Sequence, residues 1–128
     1  MGRGDYCFRR EERLRKRPQF LGVYAQGEKF GGSFFYAYFL LNQLPYSRLG
    51  LTVSRRVGGP VDRNRVKRRL REIFRHNKDR LNPPCDLVLN ARRSAVGATF
   101  CALEEEFLRL AGKWSEEWAA GWQEPLES

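Results

Sequence analysis

The chain has 128 residues, of which 24 are lysine or arginine and 15 are aspartate or glutamate, so its formal net charge is +9. Hydrophobic residues make up 41% of the chain and aromatic residues 13%, which excludes a disordered polycation because enough apolar surface is available for a core. A chain of this length normally folds as one domain without disulfide or metal staples. We therefore expect a single basic domain over residues 1–128. Its total charge implies a polyanionic partner, and nucleic acid, an anionic membrane surface and solvation alone all remain compatible with that total.

The positive charge is unevenly distributed along the sequence. The formal charge by block is +4 over residues 1–17, +1 over 18–54, +8 over 55–80, +1 over 81–100 and −5 over 101–128. The first block is a basic N-terminal arm, and residues 114–128 form an acidic extension containing Trp114, Trp118 and Trp122. For these tryptophans we favour packing of a longer helix against the body over a partner site or self-association.

The cysteines and the N-terminus bear on the cellular compartment. Cys7, Cys85 and Cys101 show no metal-ligand spacing with each other or with the single histidine, His76, so we expect reduced thiols and no metal bound by the protein alone. The N-terminus has no apolar core like that of a signal peptide, and the longest apolar stretch, residues 34–41, is too short to span a bilayer. We expect a soluble, cytoplasmic protein with no membrane partner.

The first half of the chain predicts one helix and two strands. A helix is expected near residues 18–26, between a proline that can start a helical turn and a glycine that can end it. The segment 33–41 is aromatic and apolar at both alternating sets of positions, which predicts a strand covered on both faces. A second strand is predicted at residues 49–53, and we expect the two to pair as a hairpin across a turn at residues 44–46.

The second half begins with a strongly basic helix. Within residues 61–78, four apolar residues spaced at i, i+4, i+7 and i+8 form one stripe of an amphipathic helix; they are Val66, Leu70, Ile73 and Phe74. A short buried strand at 86–90 and a helix over 99–114 follow. We therefore predict an α+β fold with the order α-β-β-(β)-α-β-α, the bracketed strand being optional, and with a central mixed sheet packed by helices.

The face of the basic helix opposite the apolar stripe forms an arginine ridge. Its members are Asn64, Arg68, Arg71 and Arg75, with Arg65, Lys67 and Arg69 on its flanks. Like charges one turn apart repel each other, and a partner anion relieves that repulsion. Arginine matches phosphate oxygens, and Asn64 can bond a ribose hydroxyl or a base edge. The ridge therefore indicates a nucleic-acid surface rather than a solvated face.

The ridge and its surroundings carry a resemblance to a known family. The run SRRVGGPVDRNRVKRRLREIFR, residues 54–75, resembles the signature of the bacterial ribonuclease P protein component. That family's pattern R-N-x-x-K-R-x-x-R-E is matched by Arg63, Asn64, Lys67, Arg68, Arg71 and Glu72. The segments RLRKRPQFLGVYAQG, SRLGLTVSRRVG and DLVLNARR follow the family's order, so the resemblance covers about residues 8–113. It implies a ribosomal-protein domain-2-like fold with a left-handed βαβ crossover, against the right-handed default.

The resemblance also implies a function. Family members are subunits of a ribonucleoprotein endonuclease, a hydrolase that removes the 5′ leader from precursor tRNA, and the RNA subunit binds the catalytic magnesium ions. The resemblance thus implies no catalytic residue in the protein and two partners, the catalytic RNA and precursor tRNA. With the ridge, it gives the expected catalytic-RNA-binding set as Arg63, Asn64, Arg65, Lys67, Arg68, Arg71, Arg75, Arg55 and Arg56.

The family holds the single-stranded leader in a cleft between its first helix and the central sheet. Unpaired strands are bound by stacking bases on aromatic rings beside a basic groove. The candidates for this leader-binding cleft are Phe20, Tyr24, Phe34, Tyr36, Tyr38, Arg92 and Arg93. Strand alternation leaves open whether the Phe34, Tyr36 and Tyr38 side or the Phe35 and Phe39 side faces the cleft. Each ring taken singly is equally compatible with core packing, and the two arginines are candidates for either RNA.

Other classes of function fit the sequence less well. A protein-only nuclease would need a carboxylate pair, a nucleophile with its base or a metal cluster, and none stands out. A double-stranded DNA reader would show a short helix and a tight turn before its recognition helix, whereas strands and Gly58-Gly59-Pro60 precede the basic helix here. A non-enzymatic RNA-binding module of ribosomal-protein type is the alternative that we retain.

Overall fold

The structure is a computed structural model that describes the backbone of residues 8–126 and the side chains of residues 8–118. Within the described part, the helices and strands follow in the order α1 (Arg17–Gln26), β1 (Glu28–Gly31), β2 (Phe35–Leu41), β3 (Arg48–Thr52), α2 (Pro60–Asn77), β4 (Cys85–Ala91) and α3 (Phe100–Leu126). The predicted α+β order is confirmed, but the additional strand, β1, precedes the strand predicted at 33–41 instead of following the one predicted at 49–53. The last helix continues past residue 114, as expected for the longer helix favoured at the tryptophan-bearing end.

The four strands form one mixed sheet in the order β1-β2-β4-β3. β2 is antiparallel to both β1 and β4, while β3 runs parallel to β4. The predicted hairpin between the strands at 33–41 and 49–53 is therefore wrong, because β4 lies between them and pairs with both. Residues 85–89 of β4 are all buried, and a strand with no exposed face needs neighbours on both edges and cover on both sides.

One face of the sheet packs against α2 and α3 to form the main core. The side chains of Phe35, Ala37 and Phe39 on β2 enter this core. The predicted apolar stripe of α2 is confirmed, since its four residues, Val66, Leu70, Ile73 and Phe74, are at most 1% exposed. A smaller cluster on the opposite face holds α1 against the sheet through Val23 and Val88. The sheet therefore has a fully covered face and a partly covered one.

The C-terminal helix is anchored through Trp114. Its indole ring stacks on Phe39 with centroids 5.5 Å apart and an interplanar angle of 9°, and its Nε1–H donates to the carbonyl oxygen of Pro83 at 3.1 Å. The ring of Trp118 lies 6.4 Å from that of Trp114. Packing of this helix against the body is therefore observed at Trp114, while the side chain of Trp122 lies outside the described residues.

The described part of the N-terminal arm, from residue 8 onward, lies along β3, next to the start of α1. The ammonium group of Lys78 donates to both carboxylate oxygens of Glu12 at 3.0 and 2.7 Å, in a largely buried pair. The backbone N–H of Leu14 donates to the carbonyl oxygen of Leu49 at 2.8 Å. These contacts place the basic residues of the arm beside the edge of the sheet and the end of α2.

Two of the three cysteines can be described. Cys85 and Cys101 are both free thiols, the first buried and the second exposed. Burial raises the pKa of the Cys85 thiol to about 12, so it stays protonated and packs as a small apolar side chain. Cys7 lies outside the described residues. No helix in the described part combines the length and apolarity that a bilayer span requires.

Candidate nucleic-acid interface

The lead-in to α2 is built by Gly58, Gly59 and Pro60. Pro60 occupies the first turn of the helix, where a missing N–H costs nothing because no acceptor is available within the helix. The guanidinium Nε–H of Arg63 reaches back to the carbonyl oxygen of Gly58 at 3.1 Å. Asp62 in the first turn complements the positive end of the helix dipole. The start of α2 is thus defined by Pro60 and by the contact between Arg63 and Gly58.

The arginine ridge faces solvent as the helical spacing predicts. Asn64, Arg68 and Arg71 are exposed. Across the described residues, Arg68 and Arg71 form no side-chain hydrogen bond or ion pair. Two cations one helical turn apart without a protein counter-charge repel each other. This part of the ridge is therefore electrostatically favourable for an anion.

The last turn of the ridge is different because it is partly neutralised. Arg75 forms an ion pair with Glu72 and a hydrogen bond with His76. The Arg75 guanidinium holds the pKa of the Glu72 carboxyl below its usual range. Arg69, on the flank, is tied to the carbonyl oxygen of Ala98 at 2.9 Å. Of the four ridge members, Arg68 and Arg71 are thus the arginines without a counter-charge among the described residues.

The predicted arginines outside α2 lie in two places. Arg55 and Arg56 are exposed in the turn before α2. The Nε–H of Arg93 donates to the carbonyl oxygen of Arg56 at 3.3 Å, so Arg93 joins the lead-in to α2. Arg92 lies elsewhere, with its guanidinium 5.1 Å from the centroid of the Tyr36 ring. The structure therefore separates two neighbouring arginines that the sequence groups together.

A groove of about 430 Å³ connects the ridge to the N-terminal arm. Its cationic lining comes from Arg13, Arg15, Lys67 and Arg71, and its apolar lining comes from Phe8, Leu14, Phe20, Leu49 and Leu51. Arg13 also stacks its guanidinium over the Phe8 ring at 4.6 Å. Arg13 and Arg15 are absent from the predicted site residues, although the +4 charge of the arm is the signal that could have identified them.

The structure shows which side of β2 faces α1, a point that strand alternation leaves open. Phe35 and Phe39 are buried in the main core, whereas Tyr36 and Tyr38 are only partly buried and lie on the alternate face. Tyr24 on α1 packs edge-to-face on Tyr38 with centroids 4.8 Å apart. We name this surface between α1 and the sheet the aromatic cleft. Its walls combine rings from one helix and one strand.

Cations lie on the rings of the aromatic cleft. The Nζ of Lys29, on β1, is 4.6 Å from the centroid of the Tyr36 ring and 5.7 Å from that of Tyr38. Arg92 approaches Tyr36 as well. Each is within the range of a cation–π interaction. Lys29 is not among the predicted site residues because β1 gives only a weak sequence signal.

A polar row crosses the floor of the aromatic cleft. Tyr36, Asn90 and Thr52 are register neighbours on β2, β4 and β3. The Tyr24 hydroxyl donates to Asn90 Oδ1 at 2.9 Å and lies 3.0 Å from Thr52 Oγ1. Neither Asn90 nor Thr52 is a predicted site residue. The sequence signal for Asn90 is a polar residue directly after the apolar run 87–89.

Two further predicted rings occupy different positions. Phe20 lies against β3 at Gly50, where a Cβ would come within 2.7 Å of the ring, so the glycine permits the close approach. Phe34 packs against the main core and lies beside Ala102 and Glu106 of α3. The structure thus brings Phe20 to the groove and Tyr24, Tyr36 and Tyr38 to the cleft, and it does not bring Phe34 to either.

The acidic side chains do not form a metal centre in the described part of the chain. No group of three or more His, Cys, Asp or Glu side chains there could hold an ion. The buried carboxylates of Glu12, Asp86 and Glu106 are each bound by protein donors: Lys78 for the first, Arg48 at 2.8 and 2.6 Å for the second, and backbone N–H groups for the third. These residues therefore do not fit a magnesium ion.

Comparison with known proteins gives a consistent result. The family model for ribonuclease P matches residues 8–115. A ribonuclease P protein component from Desulfosudis oleivorans is 38% identical over 112 residues, which cover 88% of this chain and 93% of that protein. One from Desulfatibacillum aliphaticivorans is 44% identical over 91 residues, covering 71% and 77%. The solved RNase P protein from Thermotoga maritima superposes with a TM-score of 0.73 at 35% identity, covering 80% of this chain and 96% of that one.

Proposed function

The chain belongs to the ribonuclease P protein family, and from that premise we propose that it is the protein subunit of a ribonucleoprotein that removes the 5′ leader from precursor tRNA. The observation that supports this most is the presence of both an arginine ridge and an aromatic cleft in one small domain. The first surface suits a folded RNA and the second suits an unpaired strand. The two surfaces together account for a ternary assembly of protein, catalytic RNA and substrate.

We assign the catalytic RNA to the ridge. Phosphates that meet Arg68 and Arg71 replace the missing counter-charge and release cations condensed on the RNA. Asn64 lies on the same exposed face, and Lys67 and Arg71 extend the surface into the groove beside the arm. The contribution of this surface is to bind and position the RNA. Magnesium, in this proposal, is held by the RNA and supplies the charge stabilisation at the reacting phosphate.

We assign the leader to the aromatic cleft. Bases can stack on the exposed parts of the Tyr36 and Tyr38 rings while Lys29 and Arg92 meet the phosphates between them. Thr52 and Asn90 offer polar atoms to a base edge at the floor. The leader is present in the substrate and absent from the product, so contacts here favour precursor binding and ease release of mature tRNA.

The decisive experiment adds the protein to a bacterial ribonuclease P RNA at low magnesium concentration with leader-bearing tRNA. We expect faster removal of the leader than with the RNA alone, measured in single-turnover assays. A polycationic peptide of the same net charge is the control for simple charge screening. Cleavage that is no faster with the protein would overturn the proposal and favour a non-enzymatic RNA-binding module. Cleavage by the protein without RNA would also contradict it.

Tyr24 provides a test of the cleft. Replacing Tyr24 with alanine removes the ring that packs on Tyr38 and holds it in place, and stacking of a base on a ring such as Tyr38 contributes about 1–3 kcal/mol. We expect the holoenzyme to lose about fivefold or more of its affinity for precursor tRNA, with little change for mature tRNA. Tyr24→Phe keeps the ring and should retain most of the affinity. Equal losses for precursor and mature tRNA would place Tyr24 outside the leader site.

A further inference from the structure

A buried carboxylate on α3 holds the turn that precedes β2. Glu106 is 5% exposed. Its Oε1 accepts the backbone N–H of Ser33 at 2.8 Å, and its Oε2 accepts those of Phe34 and Phe35 at 2.8 and 3.1 Å. Charge-assisted bonds of this kind are stronger than neutral ones, and they are well shielded from water when buried. The turn at residues 32–35 is therefore fixed to α3 through one side chain.

The same turn also holds the segment that follows β4. The Arg92 guanidinium donates to the carbonyl oxygen of Gly32 at 2.8 Å, and its backbone N–H donates to the carbonyl oxygen of Phe34 at 2.8 Å. The hydroxyl of Ser94 donates to the carbonyl oxygen of Ser33 at 2.5 Å. Glu106 thus binds the N–H groups of the turn, and residues 92–94 bind the carbonyl groups of the turn.

The bond to Gly32 orients Arg92 toward the aromatic cleft. The Arg92 guanidinium lies 5.1 Å from the Tyr36 ring centroid, and the side chain remains exposed. We propose that Glu106 is a positioning residue for leader binding, acting through the 32–35 turn to hold Arg92 over Tyr36. This inference rests on the proposed function, because it assigns a supporting group to the same cleft.

The turn and the carboxylate fit each other closely. A Cβ built on Gly32 would overlap the Glu106 carboxylate, so Gly32→Ala displaces the carboxylate from the turn side. Glu106→Gln keeps the size of the side chain but replaces one acceptor oxygen with an NH2 group that faces N–H donors. Both substitutions disturb the contact between the carboxylate and the turn, and Glu106→Gln also removes the charge that pairs with Arg109 at 3.4 Å. If one of the two variants fails to fold, the other can therefore be used in the binding test.

The test measures holoenzymes assembled with each variant. For Glu106→Gln we expect the affinity for precursor tRNA to fall about three- to fivefold, the size of effect expected when one exposed cation–π and phosphate contact is lost. Affinity for mature tRNA and for the catalytic RNA should stay unchanged. A general loss of structure would instead lower all of these affinities. Glu105→Gln removes the same charge from an exposed neighbour and is the matched control.

A double-mutant cycle with Arg92→Gln separates the possible outcomes. If Glu106 acts through Arg92, the double variant should bind precursor tRNA as weakly as Arg92→Gln alone. Additive losses of precursor affinity in the double variant would overturn the positioning role. The same conclusion would follow if Arg92→Gln weakened precursor binding and Glu106→Gln did not. An Arg92→Gln holoenzyme that binds precursor normally would contradict the assignment of Arg92 in the proposed function as well, and the inference with it.

Discussion

The variant with alanine at both Arg68 and Arg71 should bind the catalytic RNA about 10- to 100-fold more weakly at low salt, and the slope of log affinity against log salt should fall by about 2. The reason is that each guanidinium, without a protein partner among the described residues, is free to neutralise one phosphate. Alanine preserves the helix. Removing the like-charge pair should leave the free energy of unfolding unchanged or raise it by a few tenths of a kcal/mol.

Filter-binding titrations across a range of salt concentrations measure both quantities. Lys113→Ala is the control for net charge: it removes one positive charge, against two in the double variant, from α3, where Glu116 and Glu117 lie close by. We expect this control to keep the wild-type slope. A double variant with an unchanged salt slope would show that the ridge does not contact phosphates. An equal loss of affinity per charge removed in the control would show that only the total charge matters.

Trp114→Ala should destabilise the fold by about 3–5 kcal/mol, the cost typical of truncating a buried aromatic side chain. The ring is 4% exposed, stacks on Phe39, and donates a hydrogen bond to Pro83. The substitution leaves a cavity between α3 and the sheet and an unpaired carbonyl group. Such a loss is a large fraction of the stability of a domain of this size.

Urea unfolding followed by far-ultraviolet circular dichroism measures this change without relying on tryptophan fluorescence. Trp118→Ala is the comparison variant, because Trp118 is only partly buried and should lose less than half as much stability. Similar losses for both would mean that the whole C-terminal helix is anchored cooperatively. A loss below about 1 kcal/mol at Trp114 would contradict a core role, since that is the range of surface substitutions.

The basic helix was predictable because its signals are local. The Gly-Gly-Pro break, the 3.6-residue period of the apolar stripe and the exposed cations opposite it all lie within one segment. The charge partners within that helix were less predictable. Whether Arg75 pairs with Glu72, while Arg68 keeps no protein partner among the described residues, depends on side-chain conformations that spacing alone does not fix.

The sheet order and the cleft depend on contacts that are distant in sequence. The insertion of β4 between β2 and β3 pairs residues that are 38 to 56 positions apart in sequence. The two predicted strands looked like a hairpin because only a turn separates them. Both faces of β2 are aromatic, so alternation did not distinguish the core side from the cleft side. Phe34 shares the parity of Tyr36 but precedes the strand, where the chain turns toward Glu106.

The position of β4 has a consequence for the order in which the protein acquires its surfaces during synthesis. Translation completes β2, β3 and α2 before β4. The arginines of the ridge therefore emerge from the ribosome before β4 can pair with β2 and β3 in the sheet. Until β4 pairs with β2 and β3, Asn90 does not lie between Tyr36 and Thr52. The Tyr24 hydroxyl then lacks one of its two hydrogen-bond partners. A nascent chain thus carries the charge that attracts RNA before it can form the floor of the aromatic cleft.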